Sequence, residues 1–487
     1  MKNINNGDSL KPTSVWNNFD KILDYPHPSK HEEKLANFIY DFGKGLGLET
    51  HRDAIGNILI KKEPSSPEFA GKATVTLQSH IDMVPQKAEG KIFDFKKDTI
   101  KAYVDGKFVK ADGTTLGADN CIGVAIIMSL LESKDVDHGP IEGFFTIDEE
   151  AGMTGVKNLR PDFLKGKYLL NLDSEEENQL FIGCAGGIDT AGVFKYKKTS
   201  IPQGYTAYKL TISGLKGGHS GGNIHEYRGN AIKMLGRILY EAKSVASLSL
   251  FDINGGTLRN VIPSLASAVI LVKISDEKAF IDKNNDTAAA LKKEYQYAAP
   301  NFTFTQTKEN LPSYMLDQYI SNNIISAIHG CFDGVVRMDD NLPIVETSSN
   351  MGVITTSDTE IKIRLMQRSS VDSSRYLVSS MAEAIFRLAN ADDVVIDGAY
   401  TGWKPNVNSP LLKTCVEVHK EVLGIDPMVT AIHAGLECGL ISAVYPDMDM
   451  ISFGPTILDA HSINERVEIE SVEKAYKYVC GILKKVK

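Results

Sequence analysis

Between positions 80 and 173 the chain reads His80-Ile81-Asp82, Asp119-Asn120, Asp148-Glu149-Glu150 and Asp173, and His461-Ser462 stands far downstream. Imidazole and carboxylate are the side chains that bind a borderline divalent cation such as zinc, and here each arrives on a separate segment. A single acid at a strand end is more often a helix cap or a solvated charge, by about ten to one. Independent caps would not be expected to include a histidine two residues before an acid, a Glu-Glu doublet and an isolated histidine beside a Gly-Pro loop. The constellation therefore reads as a ligand set for two metal ions, and the chain as a two-metal hydrolase.

These residues need rigid supports, and the local patterns supply them. Trp16 to Leu48 has helical spacing interrupted by Pro26 and Pro28, which predicts two helices. Asn57 to Lys61 and Thr74 to Ser79 are short β-branched runs, the second delivering His80 at its carboxyl end. Cys121 to Ser133 reads as a helix. Ile141 to Ile147 and Tyr168 to Leu172 read as strands whose exits carry Asp148-Glu149-Glu150 and Asp173. Strand-helix alternation with chemistry at the strand ends predicts an α/β fold, a mostly parallel sheet sandwiched by helices.

After Gly183-Cys184-Ala185-Gly186-Gly187 the texture changes to long alternating strands such as Ala207 to Gly214, Ala266 to Ile274 and Glu360 to Met366, separated by helices such as Asn230 to Val245. From about Met381 strand-helix alternation resumes, through Val394 to Ile396, Leu411 to Leu423 and Met450 to Phe453. The expected organisation is a catalytic domain of residues 1–186 and 387–487, interrupted by an α+β lid domain of residues 187–386. An insertion of that size can fold as a domain of its own.

At 487 residues the chain exceeds what one core usually supports, and 43% hydrophobic and 24% charged residues are ordinary for a soluble globular protein. A net charge of −9 with no long Lys/Arg run argues against nucleic-acid binding. No apolar run spans a bilayer and Met1 to Leu10 lacks a signal-peptide core, so a cytoplasmic protein without membrane contact is expected. The six cysteines form no Cys-x-x-Cys pair, so neither a disulfide framework nor a zinc ribbon is indicated.

The runs His80-Ile81-Asp82-Met83-Val84-Pro85, Gly117-Ala118-Asp119-Asn120-Cys121-Ile122-Gly123, Thr146-Ile147-Asp148-Glu149-Glu150-Ala151-Gly152 and Asn171-Leu172-Asp173-Ser174 resemble those of the bacterial aminoacyl-histidine dipeptidases. These are members of the co-catalytic zinc peptidases, which also include carnosinases, tripeptidases and glutamate carboxypeptidases. The resemblance continues through Gly217-Gly218-His219-Ser220-Gly221, Val345 to Val353 and His433-Ala434-Gly435-Leu436-Glu437-Cys438-Gly439, and so covers essentially the whole chain.

It implies two divalent metal ions, Zn²⁺ first and Mn²⁺ or Co²⁺ as substitutes, with Asp119 bridging, His80 and Asp173 completing one site and Glu150 and His461 the other. Asp82 would fix the tautomer of His80 from behind, and the Asp119-Asn120 peptide would be cis. Glu149, kept off the metal, would be the general base beside its metal-binding neighbour. In the lid, His219 would donate to the carbonyl oxygen as charge develops, with Asn260 helping, and Arg368 would grip the free carboxylate of the substrate. The implied substrate is a small unblocked dipeptide of the Xaa-His type, carnosine-like ones included. Smaller-lid members pair through their lids and lend a histidine; a lid of this length could supply it in cis, and a homodimer is the expected assembly.

Tripeptidase, carboxypeptidase and N-acyl amino acid deacylase activities of the same family are the near alternatives. From a different class, Gly218-His219-Ser220-Gly221-Gly222 fits a serine-hydrolase elbow, but that fold needs an acid and then a histidine on separate strand ends, whereas the late histidine, His461, has Asp459 only two residues before it, and the metal constellation would be left unexplained. A metal store would have no use for an unliganded Glu149. Glu437, His225 and His433 receive no assigned role.

Overall fold

The computed structural model describes residues 2–487, and the chain divides into two compact units. One runs to Gly183 and resumes at Pro405–Ala431 and Leu436–Lys487. The other comprises Cys184–Lys404 and Ile432–Gly435.

The first unit is built on an eight-stranded sheet in the order Glu49–Arg52, Ile58–Lys62, Ile141–Thr146, Val75–His80, Tyr168–Asn171, Asp449–Ser452, Gln179–Cys184, Met428–Ile432. The four central strands, from Ile141–Thr146 to Asp449–Ser452, are mutually parallel, and antiparallel neighbours flank them. Val75–His80 and Ile141–Thr146 are buried at every position, as expected for strands covered on both faces. Thr13–Ile22 packs on Ala118–Glu132, which packs on Val75–His80, while Pro410–Leu423 packs on Ile469–Lys485 and on Asp449–Ser452. The helix Ala118–Glu132 is apolar nearly all round, and its residues 118–131 are all buried. A smaller sheet joins Ala102–Asp105, Phe108–Ala111, Arg466–Glu468 and Ile457–Leu458, and its last hairpin carries His461.

The second unit is a nine-stranded sheet whose recorded pairings are antiparallel, with Gly186–Lys195, Val345–Thr356 and Glu360–Ser369 adjacent near its middle. Alternating burial along Ala266–Lys273 and Glu360–Ser369 leaves one face for helices. Ala231–Ala242, Gln318–Gly330 and Asp372–Leu388 contribute to one apolar core that includes Phe194, Phe280 and Phe386.

The return to the first unit lies later than the sequence pattern suggests. Residues 387–404 stay with the second unit, because Asp393–Tyr400 pairs along Gly186–Lys195, with Thr190 opposite Ile396 and Ala191 opposite Val395. Val394 to Ile396 looks like resumed strand-helix alternation, yet a strand's own residues do not say which sheet accepts it. Ile432–Gly435 also belongs to the second unit, where Ala185 N–H lies within hydrogen-bonding distance of both Ile432 and Ala434 carbonyls. Among the described residues no helix is long and apolar enough to cross a membrane, and the cysteines are free thiols, five of them buried.

Candidate active site

Three parallel neighbours in the first sheet deliver their exits to one edge, where open α/β sheets carry their chemistry. His80 is the last residue of Val75–His80, Glu149 and Glu150 open the short turn of helix after Ile141–Thr146, and Asp173 follows Tyr168–Asn171. Asp119 lies in the first turn of Ala118–Glu132, with non-helical backbone there and a cis peptide to Asn120. His461 reaches in from the hairpin loop, at φ 61°.

His80 Nε2 is 3.1 Å from Asp173 Oδ1 and 3.3 Å from Asp119 Oδ1. His461 Nε2 is 3.1 Å from the other Asp119 oxygen, Oδ2, and 2.8 Å from Glu150 Oε1. Asp119 thus turns one oxygen to each histidine. The structure brings together His80, Asp119 and Asp173 in one group, Asp119, Glu150 and His461 in a second, and His80, Glu149 and Glu150 in a third, with ligand atoms within 4.8 Å of one another in each.

The donor set fits two divalent cations. Glu150 Oε1 is buried and makes no hydrogen bond of acceptable geometry despite its closeness to His461. Burial, reinforced by the charges of Asp173, Glu150 and Glu437, pushes Glu149 well above the usual carboxylate range, and burial likewise raises Glu150 and Asp173. The Asp119 and Glu150 carboxylates beside its ring push His461 up to about 11. Carboxylates crowded this closely call for positive charge, and a cation would supply it while displacing those imidazole protons. Nitrogen and oxygen donors of this kind accept zinc, manganese or cobalt.

Asp82 is fully buried beneath His80, with its carbonyl 3.1 Å and its Oδ1 3.4 Å from His80 Nδ1. It has a further role. Its Oδ1 accepts the Glu149 N–H at 2.9 Å and its Oδ2 the Glu150 N–H at 3.1 Å, so it also pins the Glu149-Glu150 turn. Burial would raise this carboxyl, but the donors around it, His80 foremost, hold it below its ordinary value.

The second unit holds a different cluster. The N–H groups of Gly221 and Gly222 point at His219 Nδ1, at 3.3 and 3.1 Å, and Arg368 Nη2 approaches the other ring nitrogen, Nε2, at 3.3 Å. Burial and the neighbouring Arg368 charge lower His219 to about 4, which keeps the ring neutral near pH 7. Arg368, 4% exposed, reaches Ser220 Oγ, Tyr400 Oη and the His219 ring, and among the described residues no carboxylate lies within ion-pair distance of it. The Asn260 carbonyl accepts the Ser220 N–H at 2.9 Å, which ties its loop to the His219 turn. Ser220 Oγ therefore contacts a guanidinium and no imidazole, so the Gly218 to Gly222 elbow lacks the base a serine nucleophile needs.

Sequence reasoning left Glu437, His225 and His433 without a role and did not single out Glu465. His433 is buried, contacts Ser348 Oγ at 2.7 Å, and its carbonyl lies where a Cβ on Gly221 would stand, so it backs the His219 turn. Glu437 is fully buried and receives Gln78 Nε2 at 2.5 Å and Thr146 Oγ1 at 2.6 Å. Glu465 accepts four backbone N–H groups leading into Asp119. Glu437 stands in the His433 to Gly439 run that carries the resemblance, whereas Glu465 carried no signal beyond being an acid near His461. His225 is exposed.

The family model described as Peptidase family M20/M25/M40 matches residues 76–485. The chain is 41% identical over 478 residues, 98% of each chain, to the cytosol non-specific dipeptidase of Escherichia coli (strain K12). Aminoacylhistidine dipeptidase from Vibrio alginolyticus superposes with a TM-score of 0.92 at 42% identity, over 98% of both chains. A tripeptidase from Staphylococcus aureus subsp. aureus mu50 shares the fold, with a TM-score of 0.57 at 15% identity over 98% of this chain and 99% of that one.

Proposed function

The chain belongs to the peptidase family M20/M25/M40, and from that premise we propose that it is a two-metal dipeptidase acting on unblocked dipeptides, Xaa-His and carnosine-like substrates among them. The observation that carries this reading is the Asp119 carboxylate, one oxygen toward His80 and Asp173 and the other toward His461 and Glu150, with Glu149 alongside.

His80, Asp119 and Asp173 would hold one ion and Asp119, Glu150 and His461 the other, Zn²⁺ being the first candidate and Mn²⁺ or Co²⁺ the substitutes. When bound, such ions acidify a water and polarise the scissile carbonyl. Glu149 accepts the proton of the attacking water and passes it to the leaving amine. Its burial, and Asp82's grip on its N–H, hold it in the right place and keep its proton affinity high. The second unit is assigned the role of lid: His219 donates a ring N–H to the carbonyl oxygen as charge builds on it, Asn260 supports that turn, and Arg368 takes the substrate carboxylate. A buried guanidinium with no acid of its own supports this assignment, because the substrate would supply the missing partner. We further propose a cytoplasmic protein that works as a homodimer, which light scattering of the purified protein tests.

The activity test is hydrolysis of carnosine, Leu-His, Ala-Ala, a tripeptide and an N-blocked dipeptide, before and after chelation and with Zn²⁺ or Mn²⁺ restored. Chelator-sensitive cleavage confined to the free dipeptides is the expected result. Cleavage of blocked or longer peptides would move the assignment to a carboxypeptidase, deacylase or tripeptidase, and indifference to chelation would overturn the metal reading.

A further inference from the structure

Asp119 and His461 are 342 residues apart in sequence and stand on unequal supports. His80 and Asp173 leave adjacent parallel strands, with side chains 2% and 6% exposed. His461 instead sits in a loop between Ile457–Leu458 and Arg466–Glu468, at positive φ and with half of its side chain exposed. Something must hold that loop at ligand distance from Asp119.

One carboxylate spans the gap. Glu465, 3% exposed, accepts from Leu116 N–H at 2.6 Å and Gly117 N–H at 3.0 Å with Oε2, and from Ala118 N–H at 2.8 Å and Asp119 N–H at 3.2 Å with Oε1. Gly117, at φ 72°, turns the chain so that four successive amides face one point, an arrangement that favours an anion. The helix beginning at Ala118 has no side-chain cap from its own N-cap residue, so Glu465 also meets its unpaired first-turn donors. On the other side, Glu465 is bound into the His461 loop: its N–H donates to the Ser462 carbonyl at 3.1 Å, Ser462 Oγ donates to the Asp459 carbonyl at 2.7 Å, and Arg466 pairs with Asp459. The loop is thus a braced piece, and Glu465 is its attachment to the segment bearing Asp119.

We infer that Glu465 is a positioning residue for the ion held by Asp119, Glu150 and His461: by gripping the four amides that lead into Asp119 it keeps His461 at ligand distance. The inference rests on the two-ion reading above. A residue that merely capped the helix would change the stability of the fold and leave ion binding alone. A residue that sets the distance between two ligands must weaken one ion more than the other, because His80 and Asp173 keep their own strand supports.

The test is competitive titration of the metal-stripped, full-length protein with Zn²⁺ against a chromophoric chelator, with thermal unfolding measured in parallel. The wild type should take two ions, and His461→Ala should identify which step belongs to the His461 site. Glu465→Gln preserves size but turns an amide NH₂ toward backbone donors. It should weaken that step about 10–100-fold, the usual consequence of losing an outer partner of a metal ligand, while the other ion binds nearly as in the wild type. Glu465→Asp keeps the charge on a shorter arm and should fall between the two; if the Gln variant does not fold, the Asp variant is read alone by the same criterion. Unchanged affinities with a lowered Tm, or equal weakening of both ions, would overturn the inference. A wild-type protein that binds fewer than two ions would overturn the two-ion reading itself, and this inference with it.

Discussion

In the first unit Asp119, Glu149, Glu150 and Asp173 crowd around two imidazoles, and burial raises three of the four carboxyls. In the second unit Arg368 is equally buried but faces only hydroxyls and a neutral ring, with His219 lowered by burial and by that same positive charge. One cluster is rich in carboxylates and the other is built around a buried positive charge. The contrast also separates how precision is achieved. The first cluster is aimed by strand ends and by Asp82, whereas the second is aimed by glycine N–H groups and close backbone packing.

The sharpest way to break this comparison is Glu149→Gln. If Glu149 is the base and stands off the metal, kcat should fall about 10²–10⁴-fold while bound metal, measured by elemental analysis, stays at two ions per chain. The alternative is concrete, because Glu149 also lies within ligand distance of His80 and Glu150. Loss of an ion along with activity would make it a ligand and leave the base unassigned.

Next in size is Arg368→Met. Losing a charge-assisted grip on a carboxylate should raise KM by about 10–100-fold, with a smaller effect on kcat. The decisive comparison uses a dipeptide with an amidated C-terminus: the wild type should handle it poorly, and the variant should not lose further. If the variant discriminates between acid and amide as the wild type does, Arg368 does not read the carboxylate.

Much of the first unit was legible in the sequence because its chemistry is local. A β-branched run ending in His80, and another ending before Glu149, place those side chains at strand exits whatever the rest of the chain does. The adjacent Glu149 and Glu150 and the Asp119-Asn120 pair were visible as runs, and the resemblance attached roles to them. Glu465 was not legible: nothing in an isolated glutamate says that four amides from residues 116–119 will converge on it. His433 was left without a role for a similar reason, since its contact with the His219 turn is through its backbone carbonyl. Asp393–Tyr400 was misplaced because alternation in a strand is the same whichever sheet it joins, and its pairing with Gly186–Lys195 is set about two hundred residues away in sequence.

The glycine packing of the second cluster gives the third prediction. A Cβ on Gly221 would stand 1.9 Å from the His433 carbonyl oxygen, a backbone atom that cannot swing aside, whereas on Gly222 the nearest atom is 3.8 Å away. Gly221→Ala should cost about 1–3 kcal/mol in urea unfolding and lower kcat by moving His219. Gly222→Ala should stay within about 0.5 kcal/mol of the wild type. Equal stability of the two variants would show that the turn is not braced by His433.

The smallest effect tests whether buried carboxyls need metal to be tolerated in this protein. Asp333, in the second unit, is raised by burial from 3.8 to about 6, against hydrogen bonds from Met351 N–H at 2.7 Å and Asn230 Nδ2 at 2.9 Å, both to Oδ1. Because the folded state holds this proton more tightly than the unfolded chain, the stability it contributes is fully present below about pH 3.8 and is lost as pH rises through about 6. Asp333→Asn keeps the accepting oxygen and removes the charge. It should therefore gain about 1 kcal/mol over the wild type at pH 8, once screening by the solvent that reaches this side chain is allowed for. The gain should shrink towards pH 4.5 and be the same with and without bound metal. A gain that appeared only in the metal-free protein would tie Asp333 to the ion site and erase the distinction between the two clusters, since the carboxyls of the first are the ones whose charge the ions should compensate.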